Sequence, residues 1–151
     1  MNRRSFLQTA ALGAGLASRS VAANDRIGVA IIGLGGQGRH LTGKFAAQPD
    51  VDILYLCEAD ERRYDAGAKL VADQKGKRPP LISDLRKALA DKAVDAVVIA
   101  TPDHWHAPAT ILACDAGKDV YVEKPASHNL REGRMMVDAA RVSFYLLTPG
   151  L

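Results

Sequence analysis

An α/β domain with a doubly wound parallel sheet is what this sequence predicts, on three observations. Short apolar runs alternate with helix-length segments from residue 27 to residue 141, joined by short connections. That alternation belongs to parallel sheets covered by helices on both faces. A glycine-rich string, Gly33-Leu34-Gly35-Gly36-Gln37-Gly38, stands between the first apolar run and the first helical segment. Hydrophobic residues make up 48% of the chain and aromatics only 5%, with Ala, Val, Leu and Gly abundant, which suits close-packed layers and argues against disorder. The 151 residues suffice for one such core.

The first strand is the run Ile27-Gly28-Val29-Ala30-Ile31-Ile32, and the helix after the glycines covers residues 37–47. Val51-Asp52-Ile53-Leu54-Tyr55-Leu56 makes the second strand. A charged helix follows over residues 60–73, and Gly76 and Pro79-Pro80 break the chain after it. Leu81-Ile82 is a short third strand. Ser83 or Asp84 caps the helix that runs to Leu89, since either side chain accepts from free N–H groups. Residues 94–100 form the fourth strand, around the buried run Ala96-Val97-Val98-Ile99-Ala100. A helix over 106–116 stops at Gly117, Val120-Tyr121-Val122 is the fifth strand, and a last helix spans 130–141.

Charge is unevenly placed. The chain carries a net +3, but residues 1–23 hold Arg3, Arg4 and Arg19 and no acid. The remainder has 17 basic and 17 acidic residues, so no nucleic-acid surface is expected. Asn2-Arg3-Arg4-Ser5-Phe6-Leu7-Gln8 resembles the twin-arginine export signal, followed by an apolar stretch from Thr9 to Ala17. Val21-Ala22-Ala23 then offers a small-residue cleavage site before Asn24. The apolar stretch is too short for a stable membrane span. Residues 1–23 therefore read as a twin-arginine signal peptide, with the twin-arginine translocase as partner and a periplasmic or exported destination. Cys57 and Cys114 fall on elements either side of the first strand, so they are expected as two buried thiols without a disulfide. His40, His104, His106 and His128 form no ligand spacing, and no metal is expected.

The glycine string carries chemistry because of what surrounds it. A strand precedes it, a helix follows it, and Glu58 stands twenty residues past Gly38. This is the spacing of a dinucleotide-binding βαβ unit. Gly33 makes the tight turn, Gly35 lets the backbone approach a pyrophosphate, and Gly38 lets the helix sit close to the strand. Glu58 accepts from a ribose diol, and the pyrophosphate meets the free N–H groups of the helix.

Two further segments sit at carboxyl ends of strands, where this architecture places ligands. Thr101-Pro102-Asp103-His104-Trp105-His106 follows the fourth strand; Pro102 stiffens the turn and the His106 ring caps the crevice wall. Glu123-Lys124-Pro125 follows the fifth. A lysine there can hydrogen-bond a substrate hydroxyl, and partial burial would tune its basicity. Each segment alone also reads as an ordinary turn or a solvated ion pair.

Taken together, the glycine string, Ala100-Thr101-Pro102-Asp103-His104-Trp105-His106-Ala107 and Val122-Glu123-Lys124-Pro125 resemble the glucose–fructose oxidoreductase/inositol dehydrogenase/MocA family. The likeness covers residues 27–141 and is nearest to the exported, twin-arginine branch. It implies a Rossmann-type domain over residues 24–141 that holds NAD or NADP. Gly33, Leu34, Gly35, Gly36, Gln37, Gly38, Glu58, Thr101, Pro102, His106 and Glu123 are implied at the cofactor, and Lys124 as the catalytic residue beside the nicotinamide. Glu58 favours NAD because a carboxylate repels a 2′-phosphate, while Arg62 and Arg63 leave NADP open.

The chain also departs from the family pattern. Members continue into a sixth strand and a second domain that carries the substrate pocket, and here only ten residues follow Arg141. Residues 142–147 read as a sixth strand by hydrophobicity, or residues 142–151 as a divergent C-terminal tail from a frameshifted or prematurely ended reading frame. The expectation is a chain with its C-terminal substrate domain missing and apolar surface left uncovered. Three functions follow from the resemblance. The first is an NAD(P)-dependent oxidoreductase domain for sugar-like substrates, acting by hydride transfer. The second is an NAD-dependent glycosidase, and the third a non-enzymatic nucleotide-binding module or gene fragment. The substrate's identity and the choice between monomer and homo-oligomer are not set by the sequence.

Overall fold

The computed structural model describes residues 26–143 and 147–149; the leader over residues 1–23 lies outside the described residues. Six parallel strands form one sheet: β1 (Ile27–Ile32), β2 (Val51–Cys57), β3 (Leu81–Ile82), β4 (Ala96–Ile99), β5 (Asp119–Val122) and β6 (Leu147–Pro149). Their order is β3-β2-β1-β4-β5-β6. The winding reverses between β1 and β4, the switch point at which doubly wound sheets open a crevice.

Five helices connect the strands: α1 (Gly36–Ala46), α2 (Tyr64–Lys75), α3 (Leu85–Leu89), α4 (His106–Asp115) and α5 (Leu130–Ser143). Strand residues alternate between two cores because successive side chains point to opposite faces. Val29, Ile31 and Val98 pack with Leu41 of α1 and Ala68 and Val71 of α2. Ala30, Ile32, Val97 and Ile99 pack on the other face, with Ala107 and Ala113 of α4 and Met136 of α5. Each fully buried Ile or Val in these layers contributes about 1.5–3 kcal/mol of transfer free energy. Small residues on α4 bring that helix close to the sheet. Cys57 and Cys114 are buried free thiols.

Local capping explains several boundaries. Asp84 caps α3 by accepting from the Arg86 N–H at 3.0 Å, and Arg86 in turn holds the Asp84 carboxyl down to about 2. β4 is shorter than the apolar run because the Val94 N–H turns back to the Asp91 carbonyl (3.2 Å). At the chain's end the helix continues through Val142 and Ser143, and the sixth strand begins at Leu147. Among the described residues, no helix is long and apolar enough to cross a membrane. On α5, Leu130 is 95% exposed and Met135 and Val137 are partly so.

One buried group works against this packing. The Thr110 hydroxyl, on α4, is fully buried and, among the described residues, has no hydrogen-bond partner. An unpaired buried hydroxyl costs free energy that an apolar isostere does not. Thr110→Val is therefore expected to stabilise the domain by about 1 kcal/mol, read as a higher urea midpoint with unchanged slope. A lower midpoint would show that the hydroxyl is satisfied.

Candidate functional site

The sheet's register aligns the ends of its central strands. Ile32 pairs with both Cys57 and Ile99, and Ile99 with Val122. The ladder then runs one bond further on each strand. Gly33 N–H donates to the Cys57 carbonyl (2.8 Å), Ala100 to Ile32 (2.8 Å) and Glu123 to Ile99 (2.9 Å). Gly33, Glu58, Ala100-Thr101 and Glu123 consequently leave the sheet side by side along one edge.

The glycine loop divides into two pairs with different reasons for being glycine. Gly33 has φ +93°, and a Cβ there would stand 2.6 Å from the Ala100 carbonyl oxygen. A Cβ on Gly38 would stand 1.9 Å from the Gly33 carbonyl oxygen. The fold itself requires these two. Gly35 and Gly36 differ: a Cβ on Gly36 meets nothing within 4 Å, and one on Gly35 meets only Arg63 Nη1, at 3.4 Å. Gly35 is the N-cap of α1 in an extended conformation, no side chain caps the helix, and its first turn has no acid. The free N–H groups and positive dipole end of α1 thus face open space.

Glu58 faces this loop. Its Oε2 accepts from the Leu34 N–H (2.8 Å) and its Oε1 from the Asp60 N–H (3.1 Å). Each oxygen keeps a lone pair for a further donor. The Leu34 side chain is buried in the core, so Leu34 reaches the site through its backbone alone. After Glu58 comes a 3-10 turn, Glu61–Arg63, capped by Asp60. The Asp60 carboxyl is held down to about 2, chiefly by the hydrogen bonds of Arg62. Burial pushes the neighbouring Cys57 thiol up to about 12, so it is neutral and unreactive at ordinary pH.

The opposite wall comes from β4 and β5. The Thr101 hydroxyl is buried and, among the described residues, has no partner. A second 3-10 turn, Asp103–Trp105, follows Pro102 and leaves Trp105 48% exposed. His106 lies behind this wall, 2% exposed. Its Nδ1 is 2.6 Å from the Pro125 carbonyl oxygen and its Nε2 2.9 Å from that of Thr101. The ring is therefore a strut between the loops after β4 and β5. Glu123 is also buried; its Oε1 accepts from Gln37 Nε2 (2.8 Å) and its Oε2 from the Lys124 N–H (3.2 Å). Lys124 is exposed rather than partly buried, and among the described residues its ammonium has no protein partner. The Lys124–Pro125 bond is cis. Among the described residues no three His, Cys, Asp or Glu side chains converge on a metal position.

Between these walls lies a cleft of about 850 Å³, lined by Gly33, Gly35, Gly36, Gln37, Glu58, Thr101 and Pro102 among others. Trp105, from the segment after β4, also lines it, as do Asp60, Ser83 and Leu85, which the sequence motifs alone did not place there. Asp60 had a local signal, an acid two residues before paired arginines on the turn that follows Glu58. Ser83 and Leu85 reach the cleft only through the pairing of β3 with β2. Leu34, Gly38, His106, Glu123 and Lys124 are not in its lining. They support it from behind or stand beside it.

The residues present fit a dinucleotide on two observations of this structure. Gly35 and Gly36 form an open backbone cradle at an uncapped helix terminus, and the orphaned Thr101 hydroxyl lies in the opposite wall. Fold and cleft together define a dinucleotide-binding α/β domain. The family described as "Oxidoreductase family, NAD-binding Rossmann fold" (GFO_IDH_MocA) matches residues 27–150, and the chain belongs to it. It is similar to GenD2 from gentamicin A biosynthesis, solved in complex with NAD. Identity is 35% and the TM-score 0.72, over 83% of this chain and 34% of that one. A glycosyl hydrolase family 109 protein of Shewanella pealeana is 30% identical over 120 residues, 77% of this chain and 26% of the relative. The alpha-N-acetylgalactosaminidase of Shewanella oneidensis is 27% identical over an alignment of 169 positions, gaps included, that covers 93% of this chain and 37% of the relative. This chain therefore spans between 26% and 37% of the length of these curated relatives.

The two pairs of glycines can be told apart by one substitution. Gly38→Ala forces Cβ onto a carbonyl oxygen and should cost about 3 kcal/mol or more. Gly36→Ala, in open space at the helix start, should stay within about 1 kcal/mol of wild type and tend toward stabilisation. Denaturant unfolding of both variants checks this; equal losses would contradict the division.

Proposed function

We propose that this domain holds NAD in the cleft at the carboxyl ends of β1, β2 and β4 and serves an oxidoreductase of sugar-like substrates. The single observation that carries the reading is the glycine pair Gly35-Gly36, which the fold does not need and a closely approaching ligand does. The N–H groups at the start of α1 would take the pyrophosphate charge, and the remaining lone pairs of Glu58 the ribose hydroxyls. Thr101 would offer its unpaired hydroxyl from the opposite wall. When bound, the cofactor supplies a hydride acceptor.

The remaining chemistry belongs to the chain. Gln37 holds Glu123, and Glu123 holds the Lys124 backbone, so α1 and the start of the β5 loop move as one piece. His106 braces the same loop from behind. With no partner among the described residues, the Lys124 ammonium is free to donate to a sugar hydroxyl, steady the developing oxyanion and pass a proton. A second reading is favoured by the glycosidase names of the two Shewanella relatives. There a sugar carbon would be oxidised transiently, the aglycone eliminated as an alcohol, water added to the resulting double bond and the carbonyl reduced again, with no net change in the cofactor. The Asn2–Gln8 motif supports export through the twin-arginine route to the periplasm.

Trp105 is the only tryptophan and lines the cleft, so it reports on ligand directly. NADH is expected to quench its emission saturably. Gly35→Val, whose Cβ would meet only Arg63 Nη1 at 3.4 Å, should weaken NADH binding about tenfold or more with little change in melting temperature. Lys124→Ala should leave NADH binding intact. Wild-type quenching by NADH that Gly35→Val does not alter would sink the cofactor assignment.

A further inference from the structure

One corner of the cleft, beside Glu58, holds two guanidinium groups on a single carboxylate. Asp60 Oδ1 accepts from the Arg62 backbone N–H at 3.2 Å and from Arg62 Nε at 2.8 Å. Asp60 Oδ2 accepts from Arg62 Nη2 at 3.0 Å and from Arg63 Nε at 3.4 Å. Each oxygen thus takes two donors, and the carboxylate is full. All three residues line the cleft together with Glu58, and Arg63 reaches toward Gly35.

This arrangement is more than the fold needs. The Arg62 side chain is 90% exposed and that of Arg63 52%, so the ion pairs contribute little to stability. The structural duty of Asp60 is to cap the 3-10 turn, which a neutral Asn performs as well. What the negative charge adds is electrostatic. Of the charged residues on this stretch that line the cleft, Glu58 and Asp60 balance Arg62 and Arg63, while Glu61 on the same turn is outside the lining. Guanidinium groups beside the acid that ends the second strand are the chemistry that accommodates a 2′-phosphate.

We propose that Asp60 selects NAD over NADP: it keeps the charge of Arg62 and Arg63 on its own carboxylate and so denies both to a 2′-phosphate. The inference rests on the reading of the cleft as a NAD site. Because the pairs are solvent-exposed, selection by Asp60 weakens as salt screens the corner.

The test uses the full chain, titrated separately with NADH and NADPH and followed by Trp105 emission, at low and high salt. Wild type is expected to bind NADH more tightly than NADPH. Asp60→Asn keeps the cap and removes the charge, and should raise the affinity for NADPH relative to NADH about tenfold at low salt. That gain should shrink at high salt and vanish when Arg62→Ala and Arg63→Ala are added. Asp60→Ser, another good cap, should reproduce it. An unchanged NADPH-to-NADH ratio in Asp60→Asn, with NADH still bound, overturns the role of Asp60 and leaves the cofactor reading intact. A gain that survives loss of both arginines, or a wild type that prefers NADPH, overturns it equally. Failure of wild type to bind NADH at all overturns the cofactor reading and the inference together.

Discussion

No side chain fits at position 38, because the Gly33 carbonyl oxygen stands 1.9 Å from where its Cβ would be. That close approach fixes α1 against the end of β1 and decides where the first turn of the helix points. Gly33 itself is held at φ +93° with the Ala100 backbone against it, so β4 sets the turn from the other side. The start of α1 is consequently wedged at the switch point of the sheet, with its free N–H groups directed into the cleft. Glu58 then ties the loop to β2 through the Leu34 N–H. The chain builds a rigid polar cradle almost entirely from backbone, and backbone positions are the hardest for side-chain motion to blur.

The second wall is assembled by buried polar side chains that bridge its loops. His106 spans the Thr101 and Pro125 carbonyls, and Glu123 spans Gln37 and the Lys124 N–H. Buried polar groups of this kind cost free energy when left half-paired, so each contact enforces the others. The glycine loop, the β4 loop and the β5 loop become one mechanical unit through Gln37 and His106. Lys124, exposed and without a partner among the described residues, is the part of that unit presented outward. The Asp103 carboxyl, nearby on the β4 turn, is held low by the hydrogen bond from His128 and then by the His104 N–H, which ties the turn to the approach of α5.

Much of this was legible in the sequence, and the rest was hidden for identifiable reasons. The succession of strands and helices and the turn and packing roles of Gly33 and Gly38 follow from local patterns that physical chemistry reads directly. Glu58 was legible as a cleft residue from its spacing, but its bonds to Leu34 and Asp60 depend on how β1 and β2 stack. The His106 strut and the Gln37–Glu123 bond join residues far apart in the chain, and nothing in either segment's periodicity announces the other. The apolar run at 142–147 does not say by itself whether it extends a helix or starts a strand. The structure gives its first two residues to α5 and begins β6 at Leu147. Asp60 was overlooked because a charged residue beside two arginines reads as a solvated face until the turn brings all three into the cleft.

Membership of the NAD-binding oxidoreductase family agrees with a cradle that the fold leaves open at Gly35 and Gly36. The central claim is that dinucleotide contacts this backbone and not merely the neighbouring side chains. Amide resonances of an isotope-labelled chain, followed as NAD is added, test it most directly. The account predicts saturable shifts at the N–H groups of Gly35, Gly36, Gln37 and Thr101, with little change at Lys118 and Asp91 at the opposite end of the sheet. Shifts concentrated at that opposite end, or a silent glycine loop at saturating NAD, would contradict it.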